Sequence, residues 1–136
     1  LKDIEPLSYS YGVSTCSSLT GTCPPVGSDF AFMMILNPAT IRAKQMVLTG
    51  EHLKKVDVYF RKGTASFDYY NIHMEDVTIT SVQQAGSSET PTISMTFSAK
   101  KIAWQYTVEK ADGSAGTKTK TGWDFSTNTE WNYVFP

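Results

Sequence analysis

Two long stretches of this chain, Phe67 to Val82 and Ile93 to Val108, are dense in aromatic and β-branched residues, and each changes its apolar parity once. In the first, Tyr70 and Ile72 give way to Val77 and Ile79. In the second, Ile93, Met95 and Phe97 give way to Ile102, Trp104, Tyr106 and Val108, with Lys100 and Lys101 at the break. Period-2 alternation is the mark of a strand with one buried face, and a parity slip is what a β-bulge produces, the first of them near Glu75 and Asp76. Two long strands with a bend in each suit a curved sheet or barrel, and their residue types favour pleated sheet over a helix bundle.

The rest of the chain reads in the same idiom. Leu7, Tyr9, Tyr11 and Val13 alternate with small polar residues, Val56, Val58 and Phe60 share one face, and Thr117 to Phe125 alternates again beyond a glycine-bearing loop at Ala111 to Gly116. A second loop, Gln83 to Pro91, joins the two long strands. One segment breaks the pattern: Asn37 followed by Pro38 is a helix start and Gly50 a helix stop, which predicts one short helix from Pro38 to about Leu48. Its thin stripe of Ala39, Ala43, Met46 and Val47 predicts a helix that lies against the sheet.

With 136 residues and neither linker nor repeat, the chain is expected to form one domain over residues 1–129, followed by a strand-like aromatic tail over residues 130–136. Net charge is −1, so there is no basic footprint for nucleic acid. The longest apolar run, Phe30 to Leu36, is far short of the roughly 20 residues that cross a bilayer as a helix. Leu1 stands where an initiator methionine would, and the reading expects an upstream segment to have been removed or omitted.

The run FAFMMIL is apolar on both faces, and in a small domain the second face calls for a cover. Phe30, Phe32, Met34 and Leu36 are accordingly expected at a subunit interface. In the tail, Trp131, Tyr133 and Phe135 alternate with Asn132 and Val134, which predicts a strand pairing to an open sheet edge, in a neighbour in preference to its own subunit. Cys16 and Cys23 are the only cysteines, set in a loop of small residues and prolines, and are expected to close a disulfide in an oxidising, secreted or extracellular setting.

No catalytic constellation is read. A Ser/His/Asp motif, a phosphate loop, a dinucleotide fingerprint and a zinc-helix motif are all absent. His52 and His73 lack a second histidine at ligand spacing, so neither a metal nor a cofactor is expected, and Glu75 and Asp76 are read as solvated carboxylates. Tyr9, Tyr11, Tyr69, Tyr70, Trp104 and Trp123 offer a sugar-stacking platform as the lesser reading, beside core or subunit contact.

Four segments in order carry a more specific signal: Ile4 to Gly12 (IEPLSYSYG), Leu53 to Gly63 (LKKVDVYFRKG), Val77 to Glu89 (VTITSVQQAGSSE) and Lys110 to Asp124 (KADGSAGTKTKTGWD). Together they resemble the Hcp family, the haemolysin-coregulated tube proteins of type VI secretion systems; the KADG turn and the GWD that follows are the most distinctive. The resemblance implies a β-barrel of two curved antiparallel sheets with one short flanking helix, assembled into six-membered rings that stack into a hollow tube carrying effector cargo. The family pattern has a further strand before the segment matching Ile4, and it usually ends soon after the segment matching Ser126 to Thr129. The partners so implied are copies of the same chain and secreted effectors. Two other readings stand beside this one: an extracellular filament of the same fold uncoupled from a secretion machine, and a monomeric carbohydrate-binding β-module.

Overall fold

The structure, a computed structural model, describes residues 4–15, 24–63, 67–86 and 89–136. In chain order the elements are β1 (Ser8–Ser10), β2 (Val13–Ser14), β3 (Val26–Gly27), β4 (Phe30–Ile35), α1 (Pro38–Thr49), β5 (His52–Arg61), β6 (Asp68–Ala85), β7 (Thr92–Glu109), β8 (Ala115–Asp124) and β9 (Thr129–Glu130). The described residues are mainly β with one helix, as the alternation leads one to expect. The principal sheet has the order β1-β4-β7-β6-β5, with β8 on β7 and β9 on β8, while β2 and β3 form a separate pair. Every register given by the structure is antiparallel. No helix among the described residues is long and apolar enough to cross a membrane.

The chain divides into two compact units, and both long strands run from one into the other: unit 1 holds Leu1–Leu53 and Val77–Ala99, unit 2 holds Lys54–Asp76 and Lys100–Pro136. β7 changes partner at that division. Its first half pairs with β4, from Thr92 against Ile35 to Phe97 against Phe30, and its second half pairs with β8, beginning with Lys101 against Asp124. Of the two parity slips in the sequence, only the one in β6 appears in the burial; in β7 the odd residues, from Ile93, Met95 and Phe97 to Ala103, Gln105 and Thr107, are buried on both sides of the division. In β6 the buried face changes from Ile72 and Met74 to Val77 and Ile79, and between them Asp76 has a φ of 53°, a left-handed conformation that aspartate tolerates better than most side chains.

In unit 1 the core is built on β4. Phe30, Phe32 and Met34 are 1%, 6% and 4% exposed, and Ile93, Met95 and Phe97 of β7 meet them from the paired strand. Phe30 stacks on Phe32 with ring centres 4.7 Å apart and on Tyr11 at 4.8 Å, and Phe32 meets Phe97 edge-on at 5.4 Å. This revises the interface expectation for three of its four residues. The even side of β4 belongs to the chain's own core, and the outward side carries Met33 and Ile35, 43% and 47% exposed, together with Leu36.

Helix α1 begins and ends where its cap residues require. Asn37 Oδ1 accepts from the amides of Ala39 and Thr40, and the Thr40 hydroxyl returns to the Asn37 amide in a capping box. Gly50, at φ 72°, closes the other end with its amide on the Met46 carbonyl. The buried stripe is Thr40, Ala43 and Met46: of the four residues expected, Ala43 and Met46 are buried, Val47 is half-buried, and Ala39 is exposed with Thr40 in its stead. Thr40 tolerates full burial because the cap occupies its hydroxyl, and that rotates the inward face away from Ala39.

Unit 2 overturns a second expectation. In the second half of β7 the apolar residues Tyr106 and Val108 are exposed and Trp104 is half-buried, whereas Ala103, Gln105 and Thr107 are buried with Ile102. The inward side is narrow: Ala103 lies opposite Gly122 of β8, and a Cβ on Gly122 would stand 3.2 Å from that of Ala103. Close approach of the backbones there favours small side chains over aromatic ones. The β7–β8 turn is the KADG segment, closed by bonds from the Lys110 amide to the Ser114 carbonyl and from the Gly113 amide to the Lys110 carbonyl, both 2.9 Å. Gly113 supplies a φ of 84°.

Candidate functional site

The densest grouping of titratable and aromatic side chains in unit 2 is centred on His73. β5 supplies Asp57, β6 supplies His73 and Glu75, and the segment after β9 supplies Trp131 and Tyr133. His73 is 2% exposed. Its Nδ1 lies 2.5 Å from Asp57 Oδ1 and its Nε2 3.2 Å from Glu75 Oε1, so a carboxylate stands at each ring nitrogen. The Tyr133 ring covers the imidazole face at 3.9 Å between centres and 2° from parallel.

The alternation of Trp131, Tyr133 and Phe135 does put the three rings in contact, Trp131 with Tyr133 at 5.3 Å and Tyr133 with Phe135 edge-on at 4.8 Å. Strand pairing, however, stops at Glu130. Beyond it one ladder-like bond continues, from the Trp131 amide to the Gly122 carbonyl at 3.0 Å, and the Lys120 Nζ donates to the Tyr133 carbonyl at 3.1 Å. The expected pairing of Trp131, Tyr133 and Phe135 as a strand is thus replaced by ring stacking on unit 2 of the same chain. The reason is in the side chains: the rings satisfy themselves on His73 and on each other, and the backbone turns from the ladder to follow them.

Lys101 joins this grouping to a polar cleft. Its ammonium lies 5.4 Å over the Trp131 ring and 3.9 Å from Asp124 Oδ2. Next to it Lys100 pairs with Asp76 at 2.9 Å. Lys54, Glu75, Asp76, Lys100, Lys101 and Ser126 line a cleft of about 400 Å³. Asp124 accepts from the amide and hydroxyl of Ser126 and from the Thr127 amide. These bonds, the hydroxyl first, hold its carboxyl below the usual range. Burial pushes the Tyr133 phenol up, helped by the charges of Asp57 and Glu75.

The chemistry open to this arrangement is limited. Asp57 and Glu75 address opposite nitrogens of one ring, which a shared metal ion cannot use, and no cluster among the described residues is suited to a metal. Both nitrogens of His73 are engaged and the ring is covered, a geometry for holding a segment in place. Glu75 and Asp76, read as solvated, are engaged with His73 and Lys100. His52 is exposed at the start of β5. Tyr9 and Tyr11 stack on Phe30, Tyr69 and Tyr70 lie against Phe60, and Trp123 is half-buried opposite Ile102. Cys16 and Cys23 lie outside the described residues.

Sequence reasoning missed Asp57, Lys101, Lys120 and Gly122 as partners of the tail. Asp57 carries a faint signal, an acid between Val56 and Val58. For Gly122 the signal was the GWD itself, whose glycine admits the tail and whose aspartate turns the chain toward it.

Among the described residues the architecture is an antiparallel β fold with one capped helix. The family model described as "Type VI secretion system effector, Hcp" matches residues 2–106, and the chain belongs to that family. None of the curated proteins matches it significantly. Among solved structures, a type VI secretion system effector from Yersinia pestis is 26% identical, with a TM-score of 0.74, covering 89% of this chain and 83% of that one. Hcp1 from Salmonella typhimurium is 20% identical with a TM-score of 0.79, covering 94% and 84%. The secreted protein Hcp3 from Pseudomonas aeruginosa is 18% identical with a TM-score of 0.64, covering 89% and 74%. The fold expected from the sequence is therefore the observed one.

Proposed function

We propose that this chain is a structural subunit of a secreted tube, built from rings of identical copies that stack around a lumen able to carry effectors. Membership of the Hcp family supports the reading, and one structural observation carries it: β4 has an apolar outward side as well as a buried one. Met33, Ile35 and Leu36 are exposed in the single chain, bordered by Ser8 of β1 and by Thr92 and Ser94 of β7. Among the described residues β1 is also the end strand of its sheet, three residues long, with Leu7 and Tyr9 exposed. An apolar ridge beside an open edge is a surface that another copy covers.

The experiment is a measurement of size. Light scattering after gel filtration, with negative-stain microscopy of the same fractions, is expected to show one ring species and, at higher concentration, stacks of it. A monomer that persists at high concentration would overturn the tube reading and leave the small β-module. Rings whose lumen excludes every small effector tried would restrict the function to a filament.

A further inference from the structure

We propose that the C-terminal segment from Trp131 to Phe135 is a latch on unit 2 whose closure is set by the charge on His73. The argument begins with the hydrogen-bond capacity of the ring. A neutral imidazole has one N–H and one lone pair, and here each nitrogen faces a carboxylate oxygen, Asp57 at 2.5 Å and Glu75 at 3.2 Å. In the neutral ring one nitrogen therefore points a lone pair at an acceptor. Only the imidazolium donates to both.

The same proton acts on the tail directly. Tyr133 lies face to face with the ring at 3.9 Å, so the imidazolium presents a cation to the electron-rich face of a phenol, while the neutral ring offers stacking alone. Two contacts thus change together in one direction: one of the two bonds that fix the ring's orientation, and the stack that holds the tail. The remaining charged groups at the tail are Lys101 over Trp131, Asp124 beside Lys101, and Lys120 on the Tyr133 carbonyl. They hold the tail's start and backbone, and none of them touches the His73 ring nitrogens.

What opens is also defined. The Trp131 amide bond to Gly122 is the last ladder bond of the chain, so loss of the Tyr133 stack frees the aromatic segment up to that point. Gain of a proton by His73 closes the latch, and loss of it loosens the latch.

The test follows two observables on the full chain: the protonation of His73, read from its ring NMR signals across pH, and the exchange protection of the Trp131 amide, corrected for the intrinsic pH dependence of exchange. The expected result is a protection factor at least tenfold higher with the imidazolium than with the neutral ring, changing in step with the ring signals. His73→Phe keeps a ring under Tyr133 and is expected to give a protection factor that no longer follows pH in that range. Should that variant fail to fold, Tyr133→Leu leaves the histidine and its carboxylates in place and is expected to uncouple the amide from the ring in the same way. Equal protection with the charged and neutral ring in the natural protein, or an undiminished change in Tyr133→Leu, would overturn the proposal.

Discussion

Gly122 and Trp131 are locked together by the absence of a side chain: the Trp131 amide donates to the Gly122 carbonyl at 3.0 Å, and a Cβ on Gly122 would collide with the Trp131 carbonyl oxygen. The glycine is there for close approach, since neither a turn nor a positive φ is required of it.

Gly122→Ala is therefore expected to push the tail off β8. The colliding atom is backbone, so the cost falls in the range of overpacking, about 1 to 3 kcal/mol. Thermal melting measures the loss, and Trp131 amide exchange locates it in the tail instead of throughout unit 2.

Neighbouring residues of β4 are expected to respond in opposite ways. Phe32→Ala empties a core position and is expected to cost about 3 to 5 kcal/mol by denaturant unfolding. Met33→Asp changes an exposed position and is expected to leave the subunit folded, with a stability change within about 0.5 kcal/mol, while abolishing the ring species in gel filtration. Rings that persist in Met33→Asp would remove this ridge from the interface.

Acid is expected to loosen the turn that launches the tail. The Ser126 hydroxyl, the Ser126 and Thr127 amides and Lys101 hold the Asp124 carboxyl below its ordinary value, so the folded state prefers the anion. A depressed carboxyl contributes its stability above the unfolded carboxylate range and loses it as pH falls through the lower folded value. The natural protein is expected to melt higher than Asp124→Asn at neutral pH, and the difference to shrink as pH falls. A gap that stays constant into strong acid would show that the charge contributes nothing.

What the sequence disclosed follows the range over which each signal acts. Asn37, Pro38 and Gly50 define their helix by contacts within a few residues, so its limits were legible to within one residue of those observed. The parity slip at Asp76 is equally local, carried by the change from Ile72 to Val77 within one strand. The two-sided apolar run of β4 announced that both faces matter without saying which would be inward; the register against Ile93, Met95 and Phe97 decides that. The His73 grouping was illegible because Asp57 comes from another strand and Tyr133 from the chain's end. For the tail, the alternating rings touch one another but the segment is not a strand, because hydrophobic period says nothing about where a backbone leaves its ladder.

The second half of β7 has a consequence for mutational tolerance. Gln105 and Thr107 are polar by type yet enclosed, so they are constrained in volume, while Tyr106 and Val108 are apolar by type yet free in volume within one subunit. A scan of this strand scored for the folding of single subunits would rank positions by space and invert the order that hydropathy assigns. Scored for the proposed assembly instead, the same scan would separate residues that shape the single chain from those that act only between copies.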